Sequence, residues 1–431
     1  MQKQFEVIVV GAGPAGIACA NTLAKSGVKV LLLERGEHPG SKNVMGGVLY
    51  SQATEQIVPG FWKDAPLERH VVEQRYWFTD KDSAVAVGYK GGNHAKEPYN
   101  AFTVLRAKFD RWFADQAVKS GAILVTETNV EDLIYKGERV VGVKTGRDNG
   151  DIYADVVVLA EGVNSMLAQK AGLKKMIPSN QLAVVVKEVI SLPRGKIEDR
   201  FNIEGEEGVT IELIGDNTKG MIGTGFIYTN KDSLSIGVGA LISQMTAGGW
   251  NPNDLLEDMK AHPLVKRLIS GGKPVEYLAH MIPEGGFEGI PKLYRDGLLV
   301  AGDSAMFVNG VHREGSNLAM LSGKIAAETI IKARYHGDYS VSMLKEYEKA
   351  VSDSFIVQDL KHYRHLNALL EEFPHFFKSY PHWANIAYDR FLTVDSEPKA
   401  EKLKKIVKRV TKEHSLLSFA KDAYRLWRVV R

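Results

Sequence analysis

The chain has 431 residues, a formal net charge of +3, 44% hydrophobic residues and one cysteine. That length supports a large core spread over more than one domain. The near-neutral balance without a basic recognition motif argues against nucleic acid, and Cys19 alone excludes internal disulfides and a four-cysteine iron–sulfur cluster within the chain.

The first element is the most informative. Val7 to Gly36 reads VIVVGAGPAGIACANTLAKSGVKVLLLERG. Phe5–Val10 is an apolar, β-branched run of the kind that forms a parallel strand buried on both faces. Because this strand begins so early and no run of roughly 18 apolar residues occurs, neither a leader peptide nor a spanning helix is expected, and the expected compartment is cytoplasmic. Gly11, Gly13 and Gly16 have the GxGxxG spacing. The first permits a tight turn, the second a close approach to a pyrophosphate, and the third close packing of helix on strand. Lys29–Leu33 is a second strand, and Glu34 at its end is placed to accept hydrogen bonds from ribose hydroxyls. Gly11, Gly13, Ala15, Gly16, Glu34 and Arg35 are the candidate cofactor-binding residues here. Cys19 lies within the helix as small core filler.

Further along, TVLRAKFDRWFADQAVKSGA (103–122) predicts a helix with Phe109, Trp112, Phe113 and Ala117 on its apolar face. Arg106 at its entrance pairs with the pyrophosphate or is an ordinary surface arginine. DVVVLAEGVNS (155–165) is a strand ending in an acid–glycine pair, Glu161-Gly162; it resembles the strand-end motif of two-domain flavoproteins, and Glu161, where Asp is usual, is a candidate cofactor-binding residue. Leu298–Ala301 is another strand, followed by GDSAMF, in which Asp303 is assigned to a ribityl hydroxyl and Gly302 to close backbone approach. Ser316 reads as an N-cap, with a helix to about Ala333. Gly315, Asn317 and the first free N–H groups of that helix would face the flavin pyrimidine edge. A plain nicotinamide enzyme needs no such late segment, so the expected cofactor is FAD.

The C-terminus differs in character. Lys399–Arg431 carries 11 Lys+Arg and 3 Asp+Glu, 11 − 3 = +8, with helical apolar spacing at Leu403, Ile406, Val407 and Val410, then Leu416, Leu417, Phe419 and Ala420. Such helices lie on anionic lipid, dock an acidic partner or simply cover the core. Glu371–Leu392 is dense in aromatics: Phe373, Phe376, Phe377, Tyr380, Trp383, Tyr388 and Phe391. They suit a bilayer interface or a core strip between domains. His362 and His365 are expected to be solvated, and no metal site is expected.

Several long segments together resemble a known family. PLERHVVEQRYWF, NPNDLLEDMKAHPLVKRLISGGKPVEY, PEGGFEGIPKLYRDGLLVAGDSAMFVN and GSNLAMLSGKIAAE resemble electron-transfer flavoprotein:quinone oxidoreductase. ERGEHPGSKNVMGGVLYS resembles its FixC-type (EtfC) branch, which lacks the iron–sulfur domain. The likeness covers roughly residues 5 to 375.

This resemblance implies an α/β fold: an FAD-binding Rossmann-type domain of the two-domain flavoprotein (hydroxylase/geranylgeranyl reductase-like) class. An antiparallel-sheet quinone domain and a helical C-terminus complete it. The expected boundaries are 1–75, 100–178 and 274–335 for the FAD domain, 76–99 and 179–273 for the quinone domain, and 336–431 for the helical region. The resemblance implies electron transfer from a two-subunit electron-transfer flavoprotein to a membrane quinone. A small ferredoxin-like iron–sulfur subunit and electron bifurcation go with it, at the inner face of the cell membrane.

Gly46 and Gly47 would lie beside the isoalloxazine or form a plain turn. Gly223, Thr224, Gly225 and Phe226 would line the quinone end, although the long family members have Gly-Gly where this chain reads Gly223-Thr224. Tyr76, Trp77 and Phe78 open a membrane-facing region. No catalytic acid–base residue is assigned. A geranylgeranyl-reductase-like prenyl-lipid reductase and a non-catalytic FAD relay or scaffold subunit stay open as alternatives.

Overall fold

The computed structural model describes residues 4–42, 47–373 and 375–430. The chain forms two compact units, one of Met1–His70, Pro98–Leu182 and His280–Lys361, the other of Val71–Glu97, Ala183–Ala279 and His362–Arg431. The helices after residue 336 are therefore divided between the two.

The first unit is built on a six-stranded sheet in the order Tyr294–Arg295, Leu298–Val300, Val156–Leu159, Val7–Val10, Val30–Leu33, Ile123–Val125. All neighbours are parallel except the Tyr294–Arg295 edge. Each central strand is an unbroken apolar run buried along its whole length, as expected where helices cover both faces. Helices Pro14–Lys25, Arg106–Lys119 and Ser316–His336 belong to this layer. The first and third cross closely: a Cβ on Gly323 would fall 2.0 Å from the Ala15 carbonyl oxygen. A separate antiparallel sheet joins Val130–Lys136, Arg139–Thr145 and Asp151–Tyr153.

Several local bounds shift: the second strand starts at Val30 and the late one ends at Val300. The first strand spans Val7–Val10 rather than starting at Phe5. The late helix is capped by Gly315, not Ser316, and runs to His336, where Gly337 at φ 62° ends it. Ser316 is already the first helical residue, and its hydroxyl accepts a hydrogen bond from Arg106 Nη1 at 3.4 Å.

The second unit centres on an antiparallel sheet ordered Lys273–Pro283, Leu182–Ser191, Ser233–Leu241, Gly223–Thr229, Glu207–Gly215, Leu67–Thr79, with Ala84–Lys90 hairpinned onto the last. One face is apolar: Val186, Ile190, Ile211, Leu213, Ile227, Ile236 and Val238 pack under helices Arg194–Phe201, Pro252–Ala261 and Pro263–Ile269. The alternation of strand side chains puts a different set on the other face. A cross-strand row there reads Lys187, Gly237, Phe226, Glu212. Gly237 leaves room for the Phe226 ring, since a Cβ would sit 2.4 Å from its Cζ.

Helices Ser379–Leu392, Lys399–Glu413 and Leu416–Val430 end the chain. Trp383 Nε1 donates to Glu413 at 2.8 Å, and the Tyr380 hydroxyl donates to Asp422 at 2.5 Å. His414 Nε2 lies 2.8 Å from the same Asp422 oxygen, and Phe419 stacks on Tyr380. The aromatic segment thus divides. Phe377 and Trp383 are buried in the core of these helices. Tyr388, Phe391 and Leu392, with Val394, Leu416, Leu417 and Trp427, are exposed. Tyr76, Trp77 and Phe78 lie in the Leu67–Thr79 strand, with Trp77 packed on the sheet's core. No helix among the described residues is long and apolar enough to cross a membrane.

Candidate functional site

The glycine turn after Val7–Val10 shows three distinct demands. Gly11 has φ 100°, and a Cβ there would meet the Ala160 carbonyl oxygen at 2.3 Å. A Cβ on Gly16 would meet the Gly11 carbonyl oxygen at 1.9 Å. These two are dictated by packing of the turn on the neighbouring strand and helix. Gly13 differs: a Cβ there would meet nothing within 4 Å. It caps helix Pro14–Lys25, with Pro14 in its first turn. The open space therefore lies where the unpaired N–H groups and positive dipole end of that helix attract an anion. Ala15 is buried against Gly302 and Gly323.

Glu34 stands at the end of Val30–Leu33 with both oxygens engaged. Oε2 accepts from the Ala12 amide at 2.9 Å and Oε1 from the Gly36 amide at 2.6 Å. The carboxylate thereby holds the glycine turn and stays partly exposed. Arg35 beside it is exposed.

Arg106 is not a surface arginine. It is buried, and its Nε and Nη2 donate to Asp110 Oδ1 and Oδ2 at 2.8 and 2.7 Å. A bidentate pair one helical turn apart fixes the guanidinium plane, and the contact with Ser316 ties this helix to the late one. The charge also reaches Asp303.

Asp303 lies in the turn Gly302–Ala305 at the carboxyl end of Leu298–Val300. Gly302 has φ 68°, and its amide donates to Ser322 Oγ at 2.9 Å. Burial raises the Asp303 carboxyl above the usual range, opposed by Arg106 and Lys174. Lys174 went unnoticed in the sequence, where Lys174-Lys175 reads as a solvated pair. Its Nζ donates to Ser165 Oγ and the Ser304 carbonyl, both at 3.0 Å. Burial draws its pKa down to about 8, opposed by Asp303 and Glu161.

Glu161 turns toward the chain itself. Its oxygens accept from the Leu167 and Ala168 amides at 2.9 Å each, capping helix Met166–Lys170. Burial raises its pKa against those hydrogen bonds. Gly47 accepts from the Val104 amide at 2.9 Å. Gly46 lies outside the described residues.

At the start of the late helix, Asn317 is buried, its side chain bonds Glu314, and its Oδ1 is partnerless among the described residues. Residues 11–16, 34, 106, 302–303 and 315–317 are thus gathered at the carboxyl ends of the parallel strands, where open α/β sheets bind ligands.

The quinone-end segment divides by strand parity. Gly223 and Gly225 would direct a Cβ to the helix-covered face, at 2.1 Å from the Gly239 carbonyl oxygen and 2.5 Å from Met259 Sδ. Glycine is dictated there by packing. Thr224 and Phe226 are on the opposite face. Thr224 Oγ1 donates to the Leu213 carbonyl at 3.0 Å, and Phe226 stacks on Tyr228 with ring centroids 4.8 Å apart. The Tyr228 hydroxyl donates to Glu212 at 2.9 Å. Among the described residues no group of His, Cys, Asp and Glu is arranged to hold a metal.

Fold and motifs define an FAD-dependent oxidoreductase of the two-domain flavoprotein class. Two families described as FAD dependent oxidoreductase match residues 6–180 and 99–329, and the ETF-QO/FixC family C-terminal domain matches residues 366–431. The chain is 47% identical to Protein FixC of Bradyrhizobium diazoefficiens over 434 residues, covering 100% of both chains. It is 39% identical to the probable electron transfer flavoprotein-quinone oxidoreductase YdiS of Escherichia coli, covering 97% of each. In fold it is similar to a geranylgeranyl bacteriochlorophyll reductase-like protein from Thermoplasma acidophilum (TM-score 0.72, 21% identity, 95% of this chain and 98% of that one). The chain belongs to the FixC family, and its likeness to that family continues past residue 375 to the C-terminus.

Proposed function

We propose that this chain holds FAD at the site gathered around Gly13, Glu34, Asp303 and Asn317, and passes electrons from a two-subunit electron-transfer flavoprotein to a membrane quinone. The observation that carries the electron-transfer reading is the 39% identity, across 97% of both chains, to a relative described as a probable electron transfer flavoprotein-quinone oxidoreductase. The residues fit the cofactor. The open space over Gly13 suits a pyrophosphate, Glu34 a ribose and Asp303 a ribityl hydroxyl. The partnerless Asn317 Oδ1 suits a ring N–H donor. Bound FAD supplies one- and two-electron chemistry.

The protein's part is to bind, orient and shield. Arg106 and Lys174 moderate the charge of Asp303. Gly47 is assigned beside the ring. Thr224 is assigned to the quinone end, with the buried Phe226 ring packed behind it. Cys19 is buried, so an iron–sulfur centre belongs on a separate ferredoxin-like subunit, in a bifurcating complex. The exposed Phe391, Leu392, Leu416, Leu417 and Trp427, among the tail's basic residues, are the face toward the inner surface of the cell membrane.

The test is anaerobic. The FAD-loaded chain, reduced chemically, is mixed with a short-chain quinone and separately with oxidised partner proteins. Rapid reoxidation by quinone is expected. Reoxidation by protein partners alone would make the chain a relay, and saturation of a prenyl double bond would make it a lipid reductase.

A further inference from the structure

The turn that carries Asp303 is held by a closed ring of hydrogen bonds. Strands Val156–Leu159 and Leu298–Val300 lie side by side and parallel, and the chain turns just past the carboxyl end of each. Beyond the first strand, Ser165 is buried at φ 47°, a strained angle for a residue with a side chain. Its Oγ donates to the Gly162 carbonyl at 2.7 Å and lies 3.0 Å from the Val163 carbonyl. Beyond the second strand, the buried Ser304 Oγ donates to the same Gly162 carbonyl at 3.0 Å. Lys174 Nζ closes the ring by donating to Ser165 Oγ and to the Ser304 carbonyl, both at 3.0 Å. The order is Lys174, Ser165, Gly162, Ser304 and back to Lys174. The lysine is anchored from behind, because the Leu173 amide donates to the Ala168 carbonyl at 3.0 Å and the Leu173 carbonyl accepts from the Lys292 amide at 3.2 Å. Every member of the ring belongs to one compact unit.

A neutral donor could make the same two bonds without the cost of burying a charge. The buried ammonium needs compensation, and two carboxylates supply it: Glu161 at the end of the first strand and Asp303 in the second turn. They are not equivalent. Glu161 is bonded to the Leu167 and Ala168 amides. Asp303 makes no side-chain hydrogen bond within the chain among the described residues. Its oxygens are open to a ligand, and Lys174 and Arg106, the latter from helix Arg106–Lys119, are the cations acting on it. Burial draws Lys174 down only to about 8, so it is still an ammonium at neutral pH.

We propose that Lys174 is a positioning residue for the cofactor: through the ring it sets where the Gly302–Ala305 turn presents Asp303 to the ribityl chain, and its ammonium is the fixed counter-charge beside that acid. A carboxylate with such a counter-charge accepts hydrogen bonds through both oxygens, whereas a protonated acid gives one of them up as a donor. The proposal rests on the assignment of FAD to this site and uses nothing of the quinone reading.

The test separates the two halves of the cofactor. ADP reports the Gly13–Glu34 end alone, and FAD reports that end together with the ribityl contact. By calorimetric titration, Lys174→Met is expected to bind FAD about 10- to 100-fold more weakly and ADP within about twofold of the wild type. In an Asp303→Asn background the same change is expected to weaken FAD binding by less than about threefold, because it acts through that carboxylate. Lys174→Arg, which keeps a cation and its donors, is expected to retain affinity that the methionine variant loses. Equal losses for ADP and FAD, or equal FAD losses in both backgrounds, would overturn the positioning role and make Lys174 a support of the fold. An arginine variant no better than the methionine one would overturn the part given to the charge. Wild-type chain that binds ADP and not FAD would remove the flavin assignment and the proposal with it, a result distinct from a wild type that binds both and shows no coupling. Should Lys174→Met not fold, Ser304→Ala enters the same cycle, since it deletes one link of the ring. An FAD-selective loss that depends on Asp303 supports the proposal, and a loss shared by ADP overturns it.

Discussion

At Glu34 one carboxylate serves two tasks. It already holds the Ala12 and Gly36 amides, and the proposed ribose contact adds to them. Glu34→Ala is expected to weaken FAD binding by roughly 10- to 150-fold, from about 1.5–3 kcal/mol for a charged hydrogen bond. Quenching of flavin fluorescence on titration measures it. Loss of affinity below threefold would show that the carboxylate holds only the turn.

Lys174 makes a pH prediction with a definite sign. Its pKa falls from 10.5 in the ordinary state to about 8 in the fold. Between those values the unfolded chain binds a proton that the folded chain has lost. This residue's contribution to stability therefore rises with pH across that window. Lys174→Met should flatten the component. Thermal midpoints of wild type and variant should converge or cross as pH rises from about 7 to 10, in the wild type's favour. An unchanged difference across that range would refute the burial of a titrating amine.

Among elements, the crossing of Pro14–Lys25 and Ser316–His336 depends on the missing side chain of Gly323. Gly323→Val inserts atoms against the Ala15 backbone, which cannot rotate away, and should cost about 1–3 kcal/mol. Urea unfolding of the loaded and unloaded chain checks it. The terminal helices separate core from surface in a comparable way. Trp383 is buried and bonded to Glu413, so Trp383→Ser should destabilise by about 3–5 kcal/mol. Phe391 and Leu392 are exposed at the end of the same helix. Replacing both with Ser should leave stability nearly unchanged and weaken binding to neutral liposomes. Lys408 and Arg409 are exposed. Reversing both to Glu should reduce binding to anionic vesicles by at least tenfold, at about 1 kcal/mol per charge, with little effect on neutral ones. Liposome flotation at two salt concentrations separates the cases. If the reversal leaves vesicle binding intact and releases a partner subunit, the face is a protein contact.

For the whole molecule, much of the α/β framework could be read from local pattern. The glycine turn, its flanking strands and the acid at the second strand's end lie within about thirty residues, and their geometry follows from short-range sterics and the helix dipole. FAD was legible because a second, distant strand-turn-helix repeats the same ligand logic at Gly302–Asn317. What local pattern could not decide was the commitment of polar and aromatic side chains, which depends on neighbours brought together from far along the chain. Arg106 reads as a pyrophosphate ligand or a surface residue until the fold, burying it against Asp110, removes the surface reading. Glu161 reads as a cofactor acid, and only the fold shows that its oxygens also accept from the Leu167 and Ala168 amides. Lys174 reads as solvated until the fold buries it next to Ser304, 130 residues away. Trp383 and Phe391 share one aromatic-rich segment, yet helical rotation and the packing of Lys399–Glu413 and Leu416–Val430 bury one and expose the other. The sequence by itself determined where a dinucleotide turn forms, because that turn is made by its own backbone. Tertiary structure alone decided which charged and aromatic groups remain available to a ligand, because a side chain satisfied by its own fold has little left to offer another molecule.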